Sequence, residues 1–194
     1  LFAGTNDLQV SSPSIPEIEP WPTIEQLTKE KEVVGIYISG HPLDDFKVEM
    51  ESFCNGDVSV FKSPKDFVNK EITVAGVINE VEHRVSRQGK GWAFFVLEDY
   101  VDSYNFRIFG EEYLKFKHFL TLNNFVHIKT KIVEGWLNKE TGVRGEQMIQ
   151  YTNFKLLQDV VKTFAKKLSI QLKLDDIKNE KINSIKSLLS QHDG

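Results

Sequence analysis

The chain has 194 residues, a formal net charge of −4, 40% hydrophobic residues and one cysteine. A lone Cys54 excludes an internal disulfide and fits a reducing cytoplasm, and without a base partner it is no nucleophile. No apolar run approaches the roughly 18 residues of a membrane span, and the length allows one or two domains with an ample core for one of them.

Neither a basic n-region nor an apolar h-region follows Leu1, so the chain reads as a fragment or processed piece rather than a secreted precursor. Residues 3–22 form a linker punctuated by Pro13, Pro16, Pro20 and Pro22. Thr23 is the expected N-cap of a helix carrying Ile24, Leu27, Lys31 and Val34 at helical spacing and ending at Gly35. The turn Ser39-Gly40-His41-Pro42-Leu43 breaks the chain, and Asp44 to Phe53 reads as a second short helix. His41 beside a proline is a turn residue. The remaining histidines show no ligand spacing, so neither a metal nor any other cofactor is expected.

From about Lys70 the period changes to two. Strands are expected at Ile72–Val85, Trp92–Glu98 and Tyr104–Phe109, then a helix at Glu111–Leu120, then strands at Phe125–Leu137 and Gln147–Leu156. The order β-β-β-α-β-β is that of an oligonucleotide-binding (OB) fold, a five-stranded Greek-key barrel. The fold class is therefore mainly β with flanking helices: a helical segment over residues 23–68, the barrel over 69–158, and a truncated strand-helix unit over 159–194. In that last unit a strand at Leu168–Leu174 precedes a helix with Ile177, Ile182, Ile185, Leu188 and Leu189 on one face.

Strand alternation separates the two faces of the barrel. Phe95, Leu97, Tyr104, Phe106 and Ile108 form the more uniformly apolar set and go to the core. Trp92, Phe94, Asn105 and Arg107 are left on the outer face of the second and third strands. Aromatic rings stack on bases with little sequence preference, arginine pairs phosphate or stacks, and asparagine bonds base edges. Arg84, Arg87 and Lys90 in the first hairpin, and Lys139 and Arg144 around the last, would track a nucleic-acid backbone from both rims. Lys129 and Lys131 alternate with Ile128 and Ile132, on the exposed face of the fourth strand.

The charge distribution bears on this reading. Residues 1–68 hold 5 Lys/Arg against 12 Asp/Glu, a net −7, while residues 69–158 are at +1 and residues 159–194 at +2. A near-neutral barrel binds a polyanion only through a local basic patch, modestly and with salt sensitivity. No catalytic constellation appears. Asp44-Asp45 and Asp175-Asp176 are adjacent pairs at helix starts, and no phosphate loop or nucleophile motif is present.

Residues Glu30 to Leu43, EKEVVGIYISGHPL, resemble the E-x-E-x-x-G-x-Y-x-S-G-H-P-L segment of bacterial replicative DNA polymerase III alpha subunits, where it also precedes the OB domain. A-G-x-I at Ala75–Ile78 and A-F-x-x-L-E-D at Ala93–Asp99 match as well. The resemblance implies a non-catalytic piece of a DNA-directed DNA polymerase, a cytoplasmic replisome protein, lacking the palm carboxylates and binding single-stranded template DNA. It also implies that Leu1-Phe2 is the remnant of a sliding-clamp motif, extending the linker over 1–22, and that the tail begins a tau-binding domain. The family usually has glycine where this chain has Asp102, so a locally different turn is expected there. The alternatives are an OB domain used chiefly for protein docking in the replisome, and an RNA-binding barrel from a synthetase-like protein.

Overall fold

The computed structural model describes residues 19–167 and 179–191. Leu1, Phe2 and the expected strand at Leu168–Leu174 lie outside the described residues.

Five antiparallel strands form one sheet: β1 (Glu71–Val85), β2 (Gly91–Glu98), β3 (Ser103–Phe109), β4 (Phe125–Val133) and β5 (Met148–Leu156), in the order β3-β2-β1-β4-β5. The long β1 is shared. Its first half pairs with β4 from Glu71 to Val77, and its second half pairs with β2 from Val77 to Val85. The register shifts at Asn79, between Ile78 and Glu80, which bends the strand and exchanges its faces. Ile72, Val74 and Ile78 point to the core before the shift; beyond it Val81 faces inward and Arg84 outward, opposite Trp92.

Packing within the core is aromatic. Phe95 stacks on Phe106 with centroids 5.3 Å apart, Phe61 meets Phe106 edge-on at 4.8 Å, and Phe116 stacks on Phe154 at 4.7 Å. All four residues Phe61, Phe95, Phe106 and Phe154 are essentially fully buried, and cutting one to alanine costs about 3–5 kcal/mol in such a core. The expected inward set is thus inward, with Tyr104 half-buried beside it.

Gly76, the glycine of the A-G-x-I motif, is dictated by packing. A Cβ there would run into the Glu98 carbonyl of β2 and the Leu97 side chain. The helix between β3 and β4 is shorter than expected: α3 (Gly110–Phe116) starts at a glycine with φ +58° and gives way to a 3₁₀ turn at Lys117–Phe119. β4 also ends early, at Val133 rather than Leu137. Beyond it the hairpin continues only through an isolated bridge from Leu137 to Arg144.

The N-terminal segment clasps the barrel. α1 (Thr23–Val34) begins with Pro22 at the cap position, so Thr23 is inside the helix and caps nothing; its end at Gly35, φ +86°, is as expected. The second helix is split into a 3₁₀ turn at Asp44–Phe46 and α2 (Lys47–Phe53). A helix the sequence reading lacked, α4 (Leu157–Phe164), follows β5 directly and buries Leu157 and Val160 against Leu43 and Ala75. Last comes α5 (Asn179–Gln191), the expected helix, in which Ile182 and Ile185 are half-buried and Leu188 is 58% exposed.

Candidate nucleic-acid interface

On the outer face of β2 and β3, cross-strand pairing sets Trp92 opposite Phe109 and Phe94 opposite Arg107, with Asn105 next along. The Trp92 and Phe109 rings stack at 5.4 Å and 20°. Phe109 is 54% exposed, and sequence reasoning passed over it although it shares the parity of Asn105 and Arg107. Because β1 has changed faces at Asn79, Arg84 joins this surface. Its guanidinium lies 5.6 Å from the Trp92 ring centre and 5.2 Å from that of Phe94. Arg84, Trp92, Phe94, Asn105 and Arg107 line one hollow of about 290 Å³.

The predicted basic residues divide by their partners. Arg84 is held by Glu82 through two hydrogen bonds of 2.5 and 2.9 Å, which raise its pKa and lower that of Glu82. Arg144 is paired with Glu134, and Lys129 with Glu71 at 2.8 Å. Among the described residues Arg107, Arg87, Lys90, Lys131 and Lys139 have no carboxylate within ion-pair distance. Lys129 and Lys131 are half-buried rather than exposed, and lie two strands from β2. On the same strand, two residues before Lys129, His127 is buried beneath Phe53 and Phe164 of the two helices. The structure therefore does not bring these two lysines to the aromatic face.

At the other rim, the β4–β5 hairpin carries Lys139 together with Trp136, 82% exposed, Leu137 and Val143. Trp136 was not anticipated because it falls beyond the alternating part of its strand. β3 and β5, the two edges of the sheet, do not pair. Between them runs a cleft of about 730 Å³ that shares Asn105 and Arg107 with the hollow. The seam is bridged at two points: Tyr151 Oη donates to the Arg107 carbonyl at 3.0 Å, and the Tyr151 N–H donates to Glu112 Oε1 at 3.1 Å.

The motif residues upstream serve architecture. Glu30 accepts hydrogen bonds from the Ile38 and Ser39 N–H groups, at 3.1 and 2.9 Å, and from the Ser39 hydroxyl. The Ser39 hydroxyl foremost holds its carboxyl at about 2. Lys31 bonds Glu98, His41 packs on Tyr100 at 4.3 Å, and Leu43 is buried. In the L-E-D run, Leu97 fills the core and Glu98 takes Lys31. Asp99, only 5% exposed, accepts from Val58 N (2.7 Å), Val101 N (2.8 Å) and Asp102 N (2.9 Å). Asp102 stands where the family has glycine, yet among the described residues only Asn69 and Asn123 are non-glycines with positive φ. It caps Ser103 N at 2.8 Å and pairs with Lys62, so the turn needs no left-handed residue. Burial pushes the Cys54 thiol up to about 12, which leaves it unreactive.

Comparison with known proteins decides the family: the OB-fold nucleic acid binding domain matches residues 72–180. The chain belongs to that family. DNA polymerase III subunit alpha of Saccharopolyspora erythraea is 27% identical over 141 residues, 69% of this chain and 12% of the relative. The Borreliella burgdorferi subunit is 32% identical over 54% of the chain and 9% of the relative, and the Mycobacterium tuberculosis subunit 24% identical over 98% and 15%. The resemblance to these subunits read from the sequence is borne out, and the chain spans well under a fifth of their length. Among solved structures, Entamoeba histolytica asparaginyl-tRNA synthetase is similar over 53% of the chain and 25% of its own, at 20% identity and a TM-score of 0.31. Among the described residues no helix is long and apolar enough to cross a membrane, and no group of three or more His, Cys, Asp or Glu is placed to hold a metal.

Proposed function

We propose that this OB domain binds single-stranded DNA across the outer face of β2 and β3, handling the template in a bacterial replicative polymerase whose chemistry lies elsewhere in the parent chain. The observation that carries the reading is the hollow where Trp92 (itself stacked on Phe109), Phe94 and Asn105 meet Arg107, a cation without a carboxylate partner among the described residues. Bases stack on the rings, Arg107 takes a phosphate, and Arg87 and Lys90 extend the track along the first hairpin. Lys139 and Trp136 continue it at the far rim.

Titration of labelled single-stranded DNA at low and moderate salt tests this. Binding that weakens with salt and falls in the Phe94→Ala/Arg107→Ala double variant is expected; no binding at low salt overturns the reading for this domain. Tighter binding of a folded tRNA than of single-stranded DNA overturns it in favour of an RNA-binding barrel.

Docking in the replisome is a second reading, favoured by the exposed Val33, Val34, Ile36 and Ile38 at the end of α1. Ile36 lies beside Glu98 and Ser103, at the opposite end of the β2–β3 pair from Trp92 and Phe109, so the two uses fall at different ends of these strands. Contacts with a sliding clamp through Leu1-Phe2, and with tau through the tail, belong to the same proposal for the intact cytoplasmic parent.

A further inference from the structure

The cleft along the open seam has a chemistry different from that of the aromatic face. Its β3 wall presents Asn105 and Arg107, the opposite wall Gln150 of β5 and Glu146 just before it, and Glu112 reaches from α3 to the β5 backbone. Among the described residues Glu112 has no cationic partner, and its second oxygen accepts no hydrogen bond. Burial raises its pKa, as for a carboxylate short of donors.

Two consequences follow for what enters. One guanidinium against two carboxylates repels a phosphodiester, so the sugar-phosphate chain stays outside, on the face already described, and a neutral base goes in. Ionised carboxylates only accept and the guanidinium only donates, so the favoured base edge has its N–H donors at one end, for the carboxylates, and its acceptors at the other, for the guanidinium. Cytosine does so with its exocyclic amino group and its ring nitrogen and carbonyl. Thymine has a carbonyl oxygen where cytosine has its amino group, so its single imino N–H is flanked on both sides by acceptors that a carboxylate repels.

Resting on the single-stranded DNA reading, we propose that this cleft takes one base bearing an exocyclic amino group, so that the domain distinguishes cytosine from thymine in single-stranded DNA. Arg107 stands at the junction, shared between the phosphate track outside and the base edge inside.

The probes are labelled homo-oligomers of dC and dT of about 15 nucleotides, near the upper site size of one OB fold. They are titrated by anisotropy at neutral pH against the wild-type chain and the Glu112→Gln/Glu146→Gln variant. The wild type is expected to hold dC at least about fivefold tighter than dT, the low end for a base-edge hydrogen-bond pair, and the variant to lose the difference. Because Glu112 also supports Tyr151 N, the exposed Glu146→Gln is measured alone and is expected to reduce the ratio with the fold intact. Equal affinities in the wild type overturn the inference and leave the binding face standing. So does a dC preference that survives in both variants. Failure to bind either oligomer overturns the binding face and this inference with it.

Discussion

Tyr151 donates its phenolic hydrogen bond to the backbone carbonyl of Arg107 at 3.0 Å, tying β5 to β3 where no ladder joins them. The ring behind that hydroxyl is buried in the core, and burial holds the phenol well above its ordinary pKa, so it remains a donor throughout the usable pH range. The same contact places the Arg107 backbone, and with it the cation of the proposed binding face. Tyr151→Phe keeps the ring and deletes the bond. It is expected to cost about 1 kcal/mol, read as a lower urea midpoint with an unchanged slope.

Salt dependence separates free from compensated cations. Arg107→Ala is expected to lower the magnitude of the slope of log K against log salt by about 0.7, the contribution of one phosphate contact to a single strand. Lys129→Ala removes a lysine already paired with Glu71 on the other half of the sheet and is expected to leave the slope unchanged. A loss confined to Lys129→Ala shows that the contact surface runs along β4 instead.

Gly76→Ala tests the packing account of the A-G-x-I motif. The added methyl meets backbone of β2, which cannot move aside without breaking the β1–β2 register at Val77 and Glu98. A loss of about 1–3 kcal/mol, the usual cost of overpacking, is expected in thermal or urea unfolding. Gly89→Ala meets no atom within 4 Å and suffers only its positive φ of 76°, so it is the milder change.

The clasp formed by the upstream motif is expected to loosen in acid. The Glu30 carboxyl sits at about 2 against an ordinary 4.5, and Asp44, bonded by the His41 N–H, at about 2 against 3.8. Both folded values are depressed, so their stabilisation is complete above the unfolded values and is lost as pH falls from roughly 4.5 toward 2. Protection of the Ile38 and Ser39 amides from hydrogen exchange, taken relative to the unfolded-chain rate at each pH, is expected to fall across that window. Glu30→Gln is expected to lower it already at neutral pH, because the charged acceptor is gone.

His127 predicts a second, milder pH effect. It is buried at 4% exposure, with Nδ1 unpartnered, and burial lowers its pKa from 6.5. The neutral ring is native, so stability is full above about 6.5 and declines as pH falls below it, when the unfolded chain takes up the proton first. Urea midpoints at pH values on either side of 6.5 are expected to show this decline in the wild type. A His127→Phe variant is expected to show a smaller decline, the remainder coming from His41, whose pKa burial also lowers.

The alternation of Phe95, Leu97, Phe106 and Ile108 with Phe94, Asn105 and Arg107 was enough to sort the two faces of β2 and β3, because side-chain direction in a strand is a local property of period two. The element order was enough for the fold class. The position of Arg84 over Trp92 and Phe94 was not legible, since it depends on the register shift at Asn79 that reverses the faces of β1. Nor was the neutralisation of Arg84, Arg144 and Lys129 by Glu82, Glu134 and Glu71, partners whose reach is set by register and rotamer. The helix at Leu157–Phe164 was missed because it straddles the boundary expected at residue 158, between the barrel and the last unit.

By itself the sequence determined which residues alternate, which turns carry charge, and that an E-x-E-x-x-G-x-Y-x-S-G-H-P-L segment precedes a barrel. Only the tertiary structure decided that this segment is a clasp on Glu98 and Tyr100, and that the sheet stays open between β3 and β5 with Arg107 at the seam. Local periodicity is written residue by residue, whereas a seam exists only once strands distant in the chain have been brought side by side and left unpaired.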